Sequence, residues 1–176
     1  VDTSDSFTDP SGHLAIVDMS DPAEPSVVRR VALGGQPDAV AVGPQGRYTA
    51  IAIENERNEE LCVGGSLHGA DVPEDNPEAA SNCREAGGLP GGLPQTEFGN
   101  PAGYLMILDH ERERTRRVAL TGLAGYAPGD PEPEFVTINA EGQAAVSLQE
   151  NNHIAIVDVA SGEVVQDFPA GRATLT

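Results

Sequence analysis

Seven side chains with hard oxygen atoms stand in three short segments: Glu54 and Glu56 within Glu54-Asn55-Glu56, Glu150 and Asn151 within Gln149-Glu150-Asn151-Asn152, and Asp130, Glu132 and Glu134 within Asp130-Pro131-Glu132-Pro133-Glu134. Carboxylate and amide oxygens in this density are ligands for a hard cation. Calcium takes about six to eight oxygens in irregular geometry, whereas magnesium keeps its waters and an octahedron. Crowded carboxylates without a cation repel and raise one another's pKa. The Glu-Asn pair occurs twice in matching surroundings, which argues for a shared role. That recurrence also fits a hydrogen-bonding device, because Asn readily satisfies turn backbone. Carboxylates at strand ends are commonly just solvated. Both readings stand at this point.

Other chemistry has weaker signals. Ser66, Ser81 and Ser147 lack the G-x-S-x-G setting of an activated serine. No phosphate loop, dinucleotide fingerprint or zinc signature is present. His13 and His153 open equivalent segments and read as architecture, while His68 and His110 have no motif partner. The pairs Arg29-Arg30 and Arg116-Arg117 suit ion pairing between neighbouring sheets, with phosphate binding as the alternative. Cys62 and Cys83 lie in a Gly-, Pro- and acid-rich stretch over 56–102. A disulfide between them would stabilise that loop by roughly 3 kcal/mol and indicates an oxidising compartment, the periplasm or the outside of the cell. A two-Cys metal site lacks any C-x-x-C spacing.

The elements that must position these groups are short strands, and the chain repeats them. RRVAL occurs at 29–33 and again at 116–120. Ahead of the copies stand GHLAIVD (12–18) and GYLMILD (103–109), and a third version, HIAIVD, begins at His153. Behind them, 37–55 and 133–151 align without a gap. Period-two alternation, with Gly-containing turns at 43–46 and 139–142, predicts hairpins throughout. The charged stretch 110–117 reads as a hairpin rather than a helix. The expected fold is all-β: a β-propeller of four-stranded antiparallel blades, this chain covering about two and a half. A small two-sheet sandwich is the alternative. The units expected are a first blade over 1–55, an insertion over 56–102, a second blade over 103–152 and the start of a third over 153–176. Because a propeller needs about four blades to close, the chain is expected to be part of a longer polypeptide, its partners the remaining blades or a larger assembly. The loop before one strand and the loop after its hairpin neighbour share one end of a sheet. Asp130, Glu132 and Glu134 are thus expected to meet Glu150 and Asn151, with Glu54 and Glu56 arriving from the adjoining blade.

Composition narrows the partners. A net charge of −18, with no lysine at all, excludes nucleic acid, whose phosphates demand a basic footprint. It suits metal cations, basic surfaces or a saline environment. No apolar run reaches the length of a membrane span. No signal peptide is visible.

The segments Ile53–Glu59 (IENERNE), Asp130–Phe135 (DPEPEF) and Leu148–Ile154 (LQENNHI), within a match running from about Gly12 to Gly171, resemble bacterial secreted proteins described as having esterase-like activity of the phytase type. The strand patterns are similar to those of choice-of-anchor and YVTN-type surface propellers. The resemblance implies a secreted or periplasmic β-propeller and calcium-dependent hydrolysis of a phosphate ester. In that reading calcium held by the acidic residues would neutralise substrate phosphate and activate a water. A non-catalytic binding propeller, its calcium structural, and a structural subunit of a surface assembly are the competing functions.

Overall fold

The computed structural model describes residues 1–56, the strand backbone at 62–63 and 66–67, and residues 100–171. Every regular element among them is a strand. In chain order these are β1 (His13–Asp18), β2 (Ser26–Ala32), β3 (Pro37–Val42), β4 (Tyr48–Ile53), β5 (Cys62–Val63), β6 (Ser66–Leu67), β7 (Tyr104–Asp109), β8 (Arg114–Ala119), β9 (Pro133–Ile138), β10 (Gln143–Leu148), β11 (His153–Asp158) and β12 (Glu163–Pro169). Residues 110–113 form the turn between β7 and β8, so the charged stretch is a hairpin.

Two four-stranded antiparallel meanders carry the molecule, in the orders β3-β4-β7-β8 and β9-β10-β11-β12. Among the described residues β1 and β2 form a two-stranded sheet, and β5 pairs with β6. This is the architecture of propeller blades, each running from an inner to an outer strand. The sheets group the strands differently from the sequence units 1–55, 103–152 and 153–176. β1 and β2 do not join β3 and β4; the insertion instead leads from β4 to β7 within one sheet. Hydrophobic periodicity shows where strands are but not which edge receives the next one. The Cys62–Cys83 pairing lies outside the described residues.

The three layers enclose two cores. Between the four-stranded sheets, Ala50, Leu105, Ile107, Val118 and Leu120 pack against Ala144, Val146, Leu148, Ala155 and Val157. On the other face of β4 and β7, Ile51, Ile53, Tyr104 and Met106 meet Leu33 and Leu14 from the β1–β2 side. With few aromatics available, these layers close by small and branched aliphatic side chains that alternate along each strand. The Tyr104 hydroxyl reaches the Leu33 carbonyl, and the Arg117 guanidinium lies 3.7 Å above the Tyr104 ring.

The recurring Asp at the end of HLAIVD, YLMILD and HIAIVD has a local function. The Oδ1 of Asp18, Asp109 and Asp158 accepts the backbone N–H of Ser20, of Glu111 and Arg112, and of Ser161 respectively. Each Asp fixes the turn that follows its strand. The gapless alignment of 37–55 with 133–151 does not survive in three dimensions. Ala50 stands opposite Ile107 of β7, and its counterpart opposite Ile156 of β11 is Ala145, not Val146. The cause is the hairpin turn, which takes residues 43–47 in the first sheet and 139–142 in the second. A slip of one residue exchanges the faces of the strand that follows.

Two glycines set the spacing between layers. A Cβ on Gly12 would stand 2.3 Å from Pro37 Cδ, and one on Gly103 would stand 2.7 Å from Pro133 Cδ. The start of each outer hairpin therefore lies directly against the proline that opens the next sheet.

Candidate functional site

The loops before β3 and β9 and those after β4 and β10 come together at one end of the sheets, and two asparagines organise them. Asn55 Oδ1 accepts the backbone N–H of Gln36 at 2.9 Å, while its Nδ2 donates to the Ala102 carbonyl at 3.1 Å. Asn151 does the same one sheet further on. Its Oδ1 accepts the Glu132 N–H at 3.0 Å and its Nδ2 faces the carbonyls of Tyr126, Ala127 and Asp130 at 3.2, 3.2 and 2.9 Å. Gln36 and Glu132 each precede the proline that starts an inner strand. Each of these amides stands just outside the strand ladder and must find an acceptor, and the asparagine side chain supplies it. Both asparagines are buried.

The second half of the Glu-Asn recurrence is thus architectural. Asn151, a candidate cation ligand, holds backbone groups with both its amide oxygen and its amide nitrogen. Asp130 and Glu132 do meet Asn151, through their main chains, and both side chains are almost fully buried. Asp130 Oδ1 accepts from Asn100 Nδ2 at 3.2 Å, and the same nitrogen donates to the Asn55 carbonyl at 3.0 Å. Asn100 therefore links the two corners across the sheets. Gln36 and Asn100 are partners that motif reading did not single out; the signal for Gln36 is its place before Pro37, matching Glu132 before Pro133.

The glutamates form a separate group. Glu54 is half-buried at the end of β4, and burial, then the charges of Asp38, Glu134, Glu56 and Glu150, push its pKa up to about 8. Asp38 is also raised, first by burial and then by Glu56. Glu56 is anchored through Gln36: its backbone N–H donates to Gln36 Oε1 at 3.0 Å and its Oε2 accepts from Gln36 Nε2 at 3.3 Å. Acidic side chains of both four-stranded sheets thus lie within electrostatic reach of Glu54. Asp38 occupies in β3 the place that Glu134 holds in β9. The seven candidates split accordingly: Glu54, Glu56, Glu134 and Glu150 share one field, whereas Asp130, Glu132 and Asn151 belong to the buried corner.

Does this set fit calcium? Among the described residues no group of three or more acidic, His or Cys side chains is close enough to hold a metal ion. In this arrangement the glutamates share a field without forming a coordination shell. His153 lies far from them in role: its Nε2 meets Asp167 Oδ1 at 3.3 Å within the outer hairpin. Of the arginine pairs, Arg117 covers Tyr104 and Arg29 Nη1 stands 3.8 Å from Glu113 Oε1. A cleft of about 270 Å³ lies at the opposite end, between the turns 43–47 and 139–142, lined by Arg47, Tyr48, Glu141 and Asp158 among others.

The family model of the choice-of-anchor I domain matches residues 1–175. No curated protein matches the sequence significantly. Among solved structures, the hydrazine synthase of Kuenenia stuttgartiensis is similar at 15% identity and a TM-score of 0.53, over 90% of this chain and 35% of that one. The β-propeller domain of the Trilobed protease from Pyrococcus furiosus, which has an open velcro topology, aligns at 10% identity and a TM-score of 0.45, over 97% of this chain and 38% of that one. The chain spans little more than a third of the length of these structures.

Proposed function

The chain belongs to the choice-of-anchor I domain family, and from that premise we propose that it is a binding and scaffolding part of a cell-surface or secreted β-propeller that presents an acidic loop end to a cationic ligand. The observation that carries this reading is the gathering of Glu54, Glu56, Glu134, Glu150 and Asp38 at one end of adjoining sheets, where the proton affinity of Glu54 is raised. A protein surface arranged this way attracts cations and basic groups and repels anions. The hydrogen-bonded corner built on Asn55 and Asn151 holds the loops that carry the glutamates.

Calcium is the ion this reading names first, because carboxylates suit it and its coordination tolerates irregular donors. Binding would draw the glutamates closer than they stand here and lower their proton affinity. Hydrolysis of a phosphate ester is the finer alternative, and it asks more of the site. A phosphate approaching these carboxylates is repelled unless cations intervene.

The test is a calcium titration of the full-length protein, followed by thermal melting and by turnover of a generic phosphate monoester. Calcium-dependent stabilisation without turnover, lost in Glu54→Gln, is the expected result. Calcium-dependent turnover would replace this reading with the hydrolase. No response to calcium or to basic peptides would leave the acidic end as solvated surface and overturn the proposal.

A further inference from the structure

We propose that the cleft between the turns 43–47 and 139–142 is a binding site for an acidic sugar, a pyranose ring carrying one carboxylate. The cleft lies between the two four-stranded sheets, at the end opposite the glutamates. Nothing in it draws on the cation reading.

The cleft is built to hold its shape. Its volume is about 270 Å³, at the lower end of small-molecule sites and enough for one ring. Its walls are tied by backbone hydrogen bonds: Gly43 N–H donates to the Tyr48 carbonyl at 2.8 Å, Val159 N–H to the Gly142 carbonyl at 3.0 Å and His110 N–H to the Arg47 carbonyl at 2.9 Å. The first sheet contributes the Tyr48 ring, and the second contributes Ile138 and Val159. The Arg47 guanidinium stands 4.9 Å from the Tyr48 ring centroid and is itself held by Asp109 and Glu111, at 3.6 and 3.1 Å. A pyranose offers an aromatic ring its apolar C–H face, and its hydroxyls suit the exposed side chains of Gln45 and Glu141 in the same lining.

The acid group follows from the arginines. A narrower gap of about 10 Å³ adjoins the cleft and shares Tyr48, Val159 and Ala160 with it. That is about one water in size, room for a carboxylate oxygen and not for a second ring. Arg114 and Arg116 line this gap; two apart on β8, they share a face. In a chain with 28 acidic residues against 10 basic ones, an arginine without a carboxylate is the exception. Arg29, Arg47 and Arg112 each have one. Among the described residues Arg114 and Arg116 have none. Arg116 is also fixed in place: it runs so close over the Gly162 turn that a Cβ there would stand 2.3 Å from its Cδ and 2.9 Å from its Nη1. Guanidinium groups grip a carboxylate through paired N–H donors.

The acids in the lining do not oppose this. Asp109 is occupied by Arg47 and Arg112, and Asp158 Oδ1 accepts the Ser161 N–H at 2.7 Å. Glu141 lines only the wide part, where a hydroxyl donates to it. The charges therefore orient the ligand, carboxylate toward β8 and hydroxyls toward the turns.

The test is calorimetric titration of the full-length protein with D-glucuronate, beside D-glucose, acetate and benzoate, which lack the charge, the ring and the hydroxyls in turn. Glucuronate should bind with a Kd at or below about 1 mM. Each of the other three should bind at least about tenfold more weakly. Combining Arg114→Gln with Arg116→Gln should bring glucuronate down to the level of glucose with the melting temperature unchanged. Ala160→Trp, at an exposed turn position that lines both cavities, should block binding in a protein that melts like the parent. Absence of glucuronate binding would overturn the proposal, as would binding untouched by either variant. Equal affinity for glucose, acetate or benzoate would overturn it too. Glu54→Gln should change none of these titrations, so they succeed or fail apart from the calcium titration.

Discussion

The corners at Asn55 and Asn151 perform the same task with different amounts of support. Each accepts the amide that precedes an inner-strand proline. At the first corner Asn55 itself takes the left-handed conformation, with φ of 53°, and its nitrogen serves a single carbonyl. At the second the positive φ has moved to Asn152, at 50°, and the Asn151 nitrogen faces three carbonyls. The conserved element between the two is the acceptor for a stranded amide. What the rest of each amide group does follows from the loop it must hold: the 121–132 connection folds back on the Asn151 side chain with three carbonyls, whereas the chain arriving at Ala102 gives the Asn55 side chain one carbonyl and reaches its backbone carbonyl through Asn100 Nδ2.

Removing the amides is the most direct way to break the comparison. Asn151→Ala leaves the Glu132 N–H and several carbonyls without their partner in a buried corner, a loss of about 3 kcal/mol in a denaturant melt. Asn55→Ala should cost less, about 2 kcal/mol, since fewer groups are stranded. Equal losses would show that the extra carbonyls at Asn151 contribute nothing. Tyr104→Phe, which deletes the hydroxyl that the Leu33 carbonyl accepts in the second core, should cost about 1 kcal/mol.

Two pH effects sharpen the contrast between the acidic end and the turns, and they have opposite signs. Glu54 is raised from 4.5 to about 8. The folded state therefore holds a proton that the unfolded state has released, so stability should fall as pH rises from about 4.5 to about 8. Glu54→Gln should flatten that slope in melts recorded across the interval. Asp109 behaves the other way. Burial pushes its pKa up, but the side chain and backbone N–H of Arg112, with Arg47, outweigh this and hold it at about 2. Its contribution is present above about pH 4 and is lost as pH falls toward 2. Asp109→Asn should remove that acid-side dependence, the smaller effect of the two because it lies outside the working range of most measurements.

The strands were readable because their alternation is written locally, and the repeat exposed the corners because Glu-Asn returns in the same surroundings. The division into sheets was not readable. β1 resembles β7 in sequence, yet whether a hairpin pairs with the strand before or after it is decided by which faces bury best. The face of each residue along β4 and β10 was hidden too, since one additional turn residue at 43–47 shifts the register without disturbing the aligned text. Within the candidate set, residue type gave the acids but not their split. Asp130 and Glu132 look like Glu134 in sequence; proline geometry and the Asn151 amide turn the first two inward.

The contact of Gly12 with Pro37 and of Gly103 with Pro133 acts as a gauge for the step from one sheet to the next. At the third equivalent position the residue is Asn152, exposed and bonded through its Nδ2 to the Gly171 carbonyl. A proline brought up there at the same distance would collide with a side chain. The close step that Gly12 and Gly103 allow is therefore closed at the start of β11 by the Asn152 side chain. The outer face of that last sheet carries Phe135 and Phe168 in solvent, in one row across its four strands.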